Sequence, residues 1–458
     1  MSHVEQRPQG PCLISTNPAT LEVLGETPLA APEQVRAAVA AAAAAFSAWA
    51  ATPLARRIEH LLLARDALVA RKDEVAALIS RENGKPRQEA LIAEIFPAAD
   101  LVTHYCDRAA EVLADREIPL HNPLFRATKS SRLVHEPLGV VSVVSPWNYP
   151  FVIPWSGVVF ALLAGNTVVL KPASDAALVG LLLDEILRVG GGLPDGVLNT
   201  LVAGGAAMGN ALFEPPVRKI VFTGSTPVGQ RIQATAARNL IPAVMELGGK
   251  DPMIVCADAD LELASAGAVW GAFTNAGQVC ASVERVYVAR PVYQAFVDRV
   301  VARTRALRVG PDTDFNVDMG PVISNEQLMI VDEHVREAQA RGATALTGGR
   351  RVDRPGYFFE PTVLVDVDHT MKVMREETFG PVLPIMPFDT EDEAVTLAND
   401  TVFGLTASVW TRDRERGDAL ATRIRAGTVT INDAVYTYGV CETPWQGMGE
   451  SGVGRSHS

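Results

Sequence analysis

The chain has 458 residues, about three times the size of a typical domain, so we expect at least two hydrophobic cores. Its net charge of −12 argues against a nucleic-acid partner, which would need clustered lysine and arginine. No apolar run approaches the roughly 18 residues of a membrane span, and residues 1–10 lack the apolar core of a secretion signal. Five cysteines without paired or metal-binding spacing predict a cytoplasmic protein that has neither disulfides nor a bound metal.

Residues 31–115 have the composition and spacing of packed helices. An alanine-rich run over residues 37–45 leads into Phe46 and Trp49, and apolar residues then recur at spacings of three, four and seven. Residues 82–86 contain the glycine and proline that typically end a helix. We therefore predict several packed helices here rather than a low-complexity segment.

From residue 139 onward, short β-branched runs alternate with stretches long enough for a crossover helix, which is typical of a parallel sheet. The predicted strands cover residues 140–144, 167–170, 197–202, 219–222 and 253–255. A second α/β region follows, with helices predicted near residues 292–307 and 326–341 between glycine- and proline-rich breaks. The pattern predicts two α/β domains that meet near residue 247.

Two segments at predicted strand ends suit a phosphate-bearing cofactor. The turn 224–229 follows a strand directly, and Pro227 suits the first turn of a helix whose free N–H groups would face a diphosphate. Lys171, at the carboxyl end of another strand, could reach a ribose or a phosphate, because open α/β sheets bind ligands there. Each pattern also has an ordinary explanation, a tight turn for the first and a surface lysine for the second.

Three residues in loops suit covalent catalysis. Asn148 lies between two prolines, and its side-chain N–H could stabilise an oxyanion, although a rigid aromatic turn would explain the same pattern. Cys280 follows a polar, glycine-containing loop, unlike Cys256 in its apolar run, and as a nucleophile it needs a nearby charge or dipole that lowers its pKa. Glu246 precedes two glycines and could swing as a general base; the alternative is a surface ion pair with Lys250.

In this order and spacing, these segments resemble the aldehyde dehydrogenase superfamily over nearly the whole chain. The matching segments are residues 17–20, 82–86, 146–150, 171–174, 224–229, 246–250, 376–381, 399–401 and 427–432, together with Phe46, Trp49 and Cys280. The resemblance implies an α/β fold with two three-layer α/β/α domains, one Rossmann-like for the cofactor and one catalytic, and a small β oligomerisation arm. It assigns 1–118 and 138–247 to the cofactor domain, 248–442 to the catalytic domain, and 119–137 and 443–458 to the arm.

The resemblance also implies the reaction, the oxidation of an aldehyde to a carboxylic acid with NAD or NADP. In relatives, the residue matching Cys280 attacks the carbonyl, and the residue matching Asn148 holds the oxyanion together with the cysteine's backbone N–H. After hydride transfer to the nicotinamide, water activated by the residue matching Glu246 hydrolyses the thioester.

Cofactor contacts and cofactor choice follow from the same resemblance. The implied contacts are Pro146, Trp147, Lys171, Ser174, Gly224, Ser225, Gly229, Leu247, Glu377 and Phe379. Ser174 stands where relatives restricted to NAD often have a glutamate, so we expect NADP to be tolerated or preferred. Asp175 could restore repulsion of the 2′-phosphate if the backbone brought it inward.

The implied substrate tunnel contains no cationic residue. Its residues are Tyr149, Ile153, Val279 and Ala281, with Tyr436 and Tyr438 as further candidates. A carboxylate on the substrate would need a positive partner, so a carboxylate-bearing aldehyde is disfavoured. We expect a medium-sized aliphatic or aromatic aldehyde.

The end of the chain departs from the family's pattern. Gln446 and Gly449 stand where glycine and lysine are common, and the chain stops at Ser458, where relatives continue into a strand that pairs across a dimer interface. The resemblance implies a homodimer or homotetramer, and the short end leaves the oligomeric state open.

Two alternatives to a hydrolytic dehydrogenase remain. A CoA-dependent acylating enzyme of the same fold would release the thioester to a thiol, and Glu246 as a ready base argues against it. A catalytically silent scaffold would have no chemical need for the matching cysteine, asparagine and two glutamates together.

Overall fold

A computed structural model describes residues 11–457. The polar start at residues 1–10 and the chain end at Ser458, which entered the expectations above, lie outside this range. Within it, two large open sheets of six and seven strands form two α/β units, as the sequence predicts.

The six-stranded sheet of the described chain is parallel except for one edge strand. In spatial order its strands are Gly452–Val453, Ala243–Glu246, Val217–Thr223, Val140–Val144, Thr167–Lys171 and Leu198–Thr200. Val141 and Val143 pack into one hydrophobic cluster, whereas Val140 and Val144 pack into another on the opposite face. Because alternate side chains of a strand point to opposite faces, both faces of this sheet are covered, and the unit has three layers.

The seven-stranded sheet, again within residues 11–457, is parallel except for its first strand in spatial order. That order is Thr344–Thr347, Thr362–Val365, Val382–Phe388, Val283–Ala289, Asp251–Val255, Thr406–Trp410 and Thr428–Ile431. Its central strands are fully buried and share one hydrophobic cluster with the surrounding helices. This is the pattern that continuous β-branched runs predict.

Helices occupy the segments predicted as helical at 31–115, 292–307 and 326–341, whereas the helix Pro123–Thr128 lies in the region predicted as a β arm. Those before residue 139 are Pro32–Ala50, Leu54–Ala70, Lys72–Asn83, Arg87–Ala90, a π-helical turn at Leu91–Ile95, Phe96–Val112 and Pro123–Thr128. Those between the strands are Val152–Leu163, Ala177–Glu185, Gly205–Met208, Thr226–Arg238, Leu261–Phe273, Tyr293–Arg305, Asn325–Ala340, Lys372–Arg375, Glu391–Asn399 and Arg414–Ala421. No helix within residues 11–457 is both long and apolar enough to cross a bilayer.

Two small antiparallel sheets complete the fold. Cys12–Thr16 pairs with Val23–Pro28. Arg116–Glu117, near the end of the segment 1–118 predicted for the cofactor domain, pairs with Arg132–Leu133 inside the region predicted as the arm. The terminal segment differs from the prediction, since Gly452–Val453 joins the six-stranded sheet beside Ala243–Glu246 rather than the arm. This pairing brings the end of the described chain next to Glu246.

Candidate active site

A strained turn positions Cys280 at the wall of a cavity. After helix Leu261–Phe273, the backbone passes through three consecutive left-handed residues, Asn275 (φ 49°), Ala276 (φ 53°) and Gly277 (φ 74°). A Cβ at Gly277 would overlap the carbonyl oxygen of Gly380, so only glycine fits there. Strained backbone of this kind persists where surrounding contacts hold it and is common at functional sites.

The cavity beside Cys280 encloses about 920 Å³, including its open mouth. All six residues expected to form the tunnel line it together with Cys280, Glu246 and Leu247. Lining residues that the sequence did not single out are Ile92, Ala93, Pro97, Val152, Thr223, Trp270, Thr274, Leu405, Val435, Gly439 and Trp445. The structure therefore brings the expected nucleophile, base and tunnel together in one space.

Glu246 ends its strand as a buried carboxyl with one unused oxygen. Its Oε1 accepts a hydrogen bond from Ser456 Oγ at 3.3 Å, whereas Oε2 has no partner among the described residues. Burial raises the pKa of Glu246 to about 8. The alternative of a surface ion pair is wrong, because Lys250 is buried and bonded to Glu284. An unpartnered oxygen on a carboxyl with this pKa suits a base that meets water.

The surroundings of Cys280 do not provide the charge that the sequence argument required. Burial raises the pKa of the Cys280 thiol, and the carboxyls of Asp251 and Glu377 raise it further. The side chains that meet there are therefore acidic and do not supply a charge that lowers this pKa, whereas the hydrogen bond of the Ala281 backbone acts in the lowering direction. A positive charge on a bound molecule would be needed to favour the thiolate.

Asn148 is buried beside the cysteine loop. Its Nδ2 donates to the carbonyl oxygen of Gln278 at 3.0 Å, and its own carbonyl accepts from Asn275 Nδ2 at 2.9 Å. Asn148 does not itself line the cavity. An amide has two N–H donors, so one N–H of Asn148 remains beyond the bond to Gln278.

A buried ion pair that the sequence did not reveal holds the backbone around Asn148. Lys85 Nζ donates to Glu94 Oε1 at 2.6 Å and to the Asn148 carbonyl at 2.8 Å, and both charged side chains are fully buried. Glu94 Oε2 accepts from the backbone N–H groups of Phe151 and Val152. The pair therefore holds the loop at Asn148 itself and at the point where it enters helix Val152–Leu163. The only sequence signal was the position of Lys85 within the family match at residues 82–86.

We expect Lys85→Met to lower stability by about 3–5 kcal/mol, because it leaves the Glu94 carboxylate buried without its cation. The double variant Lys85→Met/Glu94→Gln removes both charges and should recover much of that loss. Thermal unfolding of the two variants beside the unaltered protein measures this. If Lys85→Met unfolded at the same temperature as the unaltered protein, the pair would not stabilise the loop.

Glu377 and Phe379 approach the cavity from the other sheet. Glu377 Oε1 accepts from Gly249 N at 3.2 Å, and burial raises the pKa of Glu377 to about 8. The ring of Phe379 meets that of Trp147 edge to face, 5.3 Å between centroids. Beneath them, Glu284 accepts from the backbone N–H of Phe379 at 2.9 Å and holds this segment in place.

The remaining expected cofactor contacts meet at one edge of the six-stranded sheet. Val144 pairs with Lys171 on one side and with Phe222 on the other, so the carboxyl ends of three parallel strands align. The residues that follow these ends are Pro146, Trp147, Ser174, Gly224 and Ser225. Ligands of open α/β sheets bind at this edge.

The start of helix Thr226–Arg238 is open to a ligand. Within the described chain, Ser225 precedes this helix without making a side-chain capping bond. Gly229 packs against Leu247 so closely that a Cβ would overlap its side chain. Pro227 has no N–H, and the N–H groups of Val228 and Gly229 donate to the Ser225 carbonyl. The groups that suit a diphosphate here are the Ser225 hydroxyl, the positive end of the helix dipole and the close glycine, so these residues fit NAD or NADP. Among residues 11–457, no group of three or more His, Cys, Asp or Glu is arranged to hold a metal ion.

Comparison with known proteins matches residues 5–458 to the model of the aldehyde dehydrogenase family. The chain is 38% identical to a 4,4′-diapolycopene aldehyde oxidase of Methylomonas sp, over 97% of this chain and 82% of that protein. It is 37% identical to the NADP⁺ succinate-semialdehyde dehydrogenase of Escherichia coli K12, over 98% and 92%. The NAD⁺ complex of an aldehyde dehydrogenase from Bacillus cereus superposes with a TM-score of 0.93 at 35% identity, covering 98% of this chain and 90% of that one.

Proposed function

The chain belongs to the aldehyde dehydrogenase family and oxidises aldehydes with NAD or NADP, and we propose that it makes the acid by hydrolysing a thioester on Cys280. One observation carries the proposal: Cys280 and the buried, raised-pKa carboxyl of Glu246 line the same cavity. A nucleophile and a base that share one space can act on the same carbonyl carbon in turn.

In the first half of the proposed reaction, the Cys280 sulfur forms a bond to the aldehyde carbon, and the carbonyl oxygen becomes an oxyanion. The free N–H of Asn148 and the backbone N–H of Cys280 stabilise that oxygen. A bound oxidised nicotinamide would supply the acceptor for the hydride that leaves the former aldehyde carbon, together with a positive charge that favours the thiolate. Trp147 and Phe379, whose rings meet edge to face, are the residues that would border it.

In the second half, Glu246 takes a proton from a water molecule, and the water oxygen bonds to the thioester carbon. The carbon–sulfur bond breaks, the acid leaves, and Cys280 returns as a thiolate. The unpartnered Oε2 of Glu246 supports this role, since a buried carboxyl oxygen without a partner is ready to bind water.

Because Glu246 must lose its proton to act, we expect thioester hydrolysis to speed up as pH rises through about 8. At pH 6 only about one molecule in a hundred would hold the carboxylate form. Hydrolysis rates measured between pH 6 and 9.5, after a first turnover, test this. A rate that is already at its plateau at pH 6 would contradict the raised pKa.

The substrate that best suits the cavity is an uncharged aldehyde of medium size, aliphatic or aromatic. No lysine or arginine lines the cavity within the described chain, so a carboxylate on the substrate would lack a partner. The relatives are named for different aldehydes, diapolycopene aldehyde in one case and succinate semialdehyde in another. Because these names differ, the support for an uncharged aldehyde comes from the residues that line the cavity.

We propose that the chain accepts NADP as well as NAD, because Ser174 places no charge beside the ribose. Ser174→Glu should lower kcat/KM for NADP by about 100-fold and leave that for NAD nearly unchanged, since a carboxylate repels the 2′-phosphate. Ser174→Gln, of the same size without the charge, is the matched control. Equal losses for both cofactors would indicate that Ser174 does not face the ribose.

We further propose a homo-oligomer, a dimer or tetramer, located in the cytoplasm. The arm helix Pro123–Thr128 exposes Leu124 and Phe125, apolar side chains that an interface would bury. Cys106 and Cys256 form no disulfide within the described chain, which suits a reducing compartment.

The test of the function is the initial rate of nicotinamide absorbance with NAD and NADP, against short, long and aromatic aldehydes. Turnover without CoA supports hydrolysis. Turnover only with CoA would favour an acylating enzyme, and none with either would favour a silent scaffold.

A further inference from the structure

The mouth of the catalytic cavity is surrounded by exposed apolar side chains. Ile92, Phe96, Trp270 and Tyr436 are between 45% and 62% exposed. Three of them line the cavity that contains Cys280, and the fourth, Phe96, lies one turn after Ile92 and next to the lining residue Pro97. We call these four residues the apolar rim.

We propose that the apolar rim binds the hydrocarbon tail of the substrate, so that the enzyme selects straight-chain, uncharged aldehydes long enough to reach from Cys280 to the mouth. This inference rests on the proposed function. It adds that chain length, measured from the reacting carbon to the rim, determines specificity.

Much of the lining between Cys280 and the rim is apolar. Ala93, Pro97, Val152 and Ile153 form its aliphatic part, and Glu246 is the one carboxyl among the lining residues of the described chain. Each methylene that these aliphatic side chains cover is removed from water. A tail that fills the cavity would continue directly onto the rim.

A lysine beside the deep part of the cavity argues against a cationic tail. Lys85 Nζ lies 3.9 Å from the ring centroid of Tyr149, which lines the cavity. The ring of Tyr438 packs against His457 at 4.6 Å and meets Trp445 edge to face at 5.4 Å, and its hydroxyl bonds to Ser156. A second cation beside the Lys85–Tyr149 pair would be repelled, whereas an uncharged chain would not.

A π-helical turn, Leu91–Ile95, places one side of the rim at the mouth. This turn interrupts the helical stretch between Arg87 and Val112 and exposes Ile92 while Glu94 and Ile95 stay buried. Inserted π-turns of this kind are common at functional sites. The same turn holds Glu94, the partner of Lys85, so the rim and the Asn148 loop are built on one element.

The experiment measures kcat/KM for a series of straight-chain aldehydes from propanal to dodecanal. Expected is a rise of about two- to fourfold per added methylene until the tail reaches the rim. Phe96→Ser should then lower kcat/KM about fivefold or more for decanal and leave propanal unchanged. Val189→Ser is the matched control, because Val189 is 67% exposed on the π-helical turn Ile186–Gly190 and lies outside the cavity. It should change kcat/KM for neither decanal nor propanal.

The possible results distinguish a failure of this inference from a failure of the proposed function. A flat chain-length profile, or equal effects of Phe96→Ser and Val189→Ser, overturns the role of the rim but leaves oxidation of propanal intact. Preference for a trimethylammonium aldehyde over an uncharged aldehyde of equal length also overturns it. Failure to oxidise any aldehyde of the series, propanal included, would instead refute the proposed function.

Discussion

Replacing Cys280 with alanine is expected to lower kcat for aldehyde oxidation by about 10⁴-fold or more, because the cavity then has no nucleophile. Cys280 is the one cysteine that lines the cavity within residues 11–457. Cys280→Ala should still bind the cofactor, since the residues expected to hold it belong to other segments. Nicotinamide absorbance measures the rate, and intact mass measurement after aldehyde addition shows whether an acyl group is attached.

The matched control for this variant is Cys256→Ala. Cys256 is buried at the end of strand Asp251–Val255, outside the cavity, and burial raises the pKa of its thiol to about 12. Because Cys256 is buried and does not line the cavity, its loss should leave kcat within about twofold. If Cys280→Ala still oxidised aldehydes within tenfold of the unaltered rate, a thioester on this residue would be ruled out.

The sequence predicts an element of the fold well when the residues of that element alone carry its pattern, and poorly when the element depends on distant segments. The strands predicted at 140–144 and 253–255 are observed at Val140–Val144 and Asp251–Val255, because buried β-branched runs carry their own signature. The pairing of Gly452–Val453 with Ala243–Glu246 joins segments far apart in sequence, and the short terminal strand has no such run. Its assignment to the arm therefore could not be corrected without the structure.

The same limit applies to the candidate site. Asn148 is recognisable because it follows a predicted strand, Cys280 because it follows a polar loop that contains glycine, and Glu246 because two glycines stand close behind it. Lys85 is not, since lysine is usually exposed and nothing in its segment shows that it and Glu94 are fully buried. The direction of a pKa is equally inaccessible, because it depends on which carboxyls the fold gathers around a group.

Glu246→Gln is expected to separate the two halves of the reaction. Glutamine keeps the size of the side chain but cannot take a proton from water, so thioester hydrolysis should slow by about 10²- to 10⁴-fold. Hydride transfer does not need this base in the proposed mechanism. One equivalent of reduced cofactor per site should therefore appear rapidly and then almost stop, which rapid-mixing absorbance would record, and the trapped acyl group should be visible by intact mass.

Glu450→Gln is the control, an exposed carboxylate on the same terminal segment, and it should preserve both the first turnover and the steady state. The alternative outcome for Glu246→Gln is equally informative. If the first turnover slowed as much as the steady state, Glu246 would act before the thioester forms, by taking the proton of Cys280. The raised pKa of that thiol in acidic surroundings makes this a real competitor, because some group must accept its proton before the sulfur can attack. A full first turnover followed by slow hydrolysis would exclude this competitor and assign Glu246 to the water.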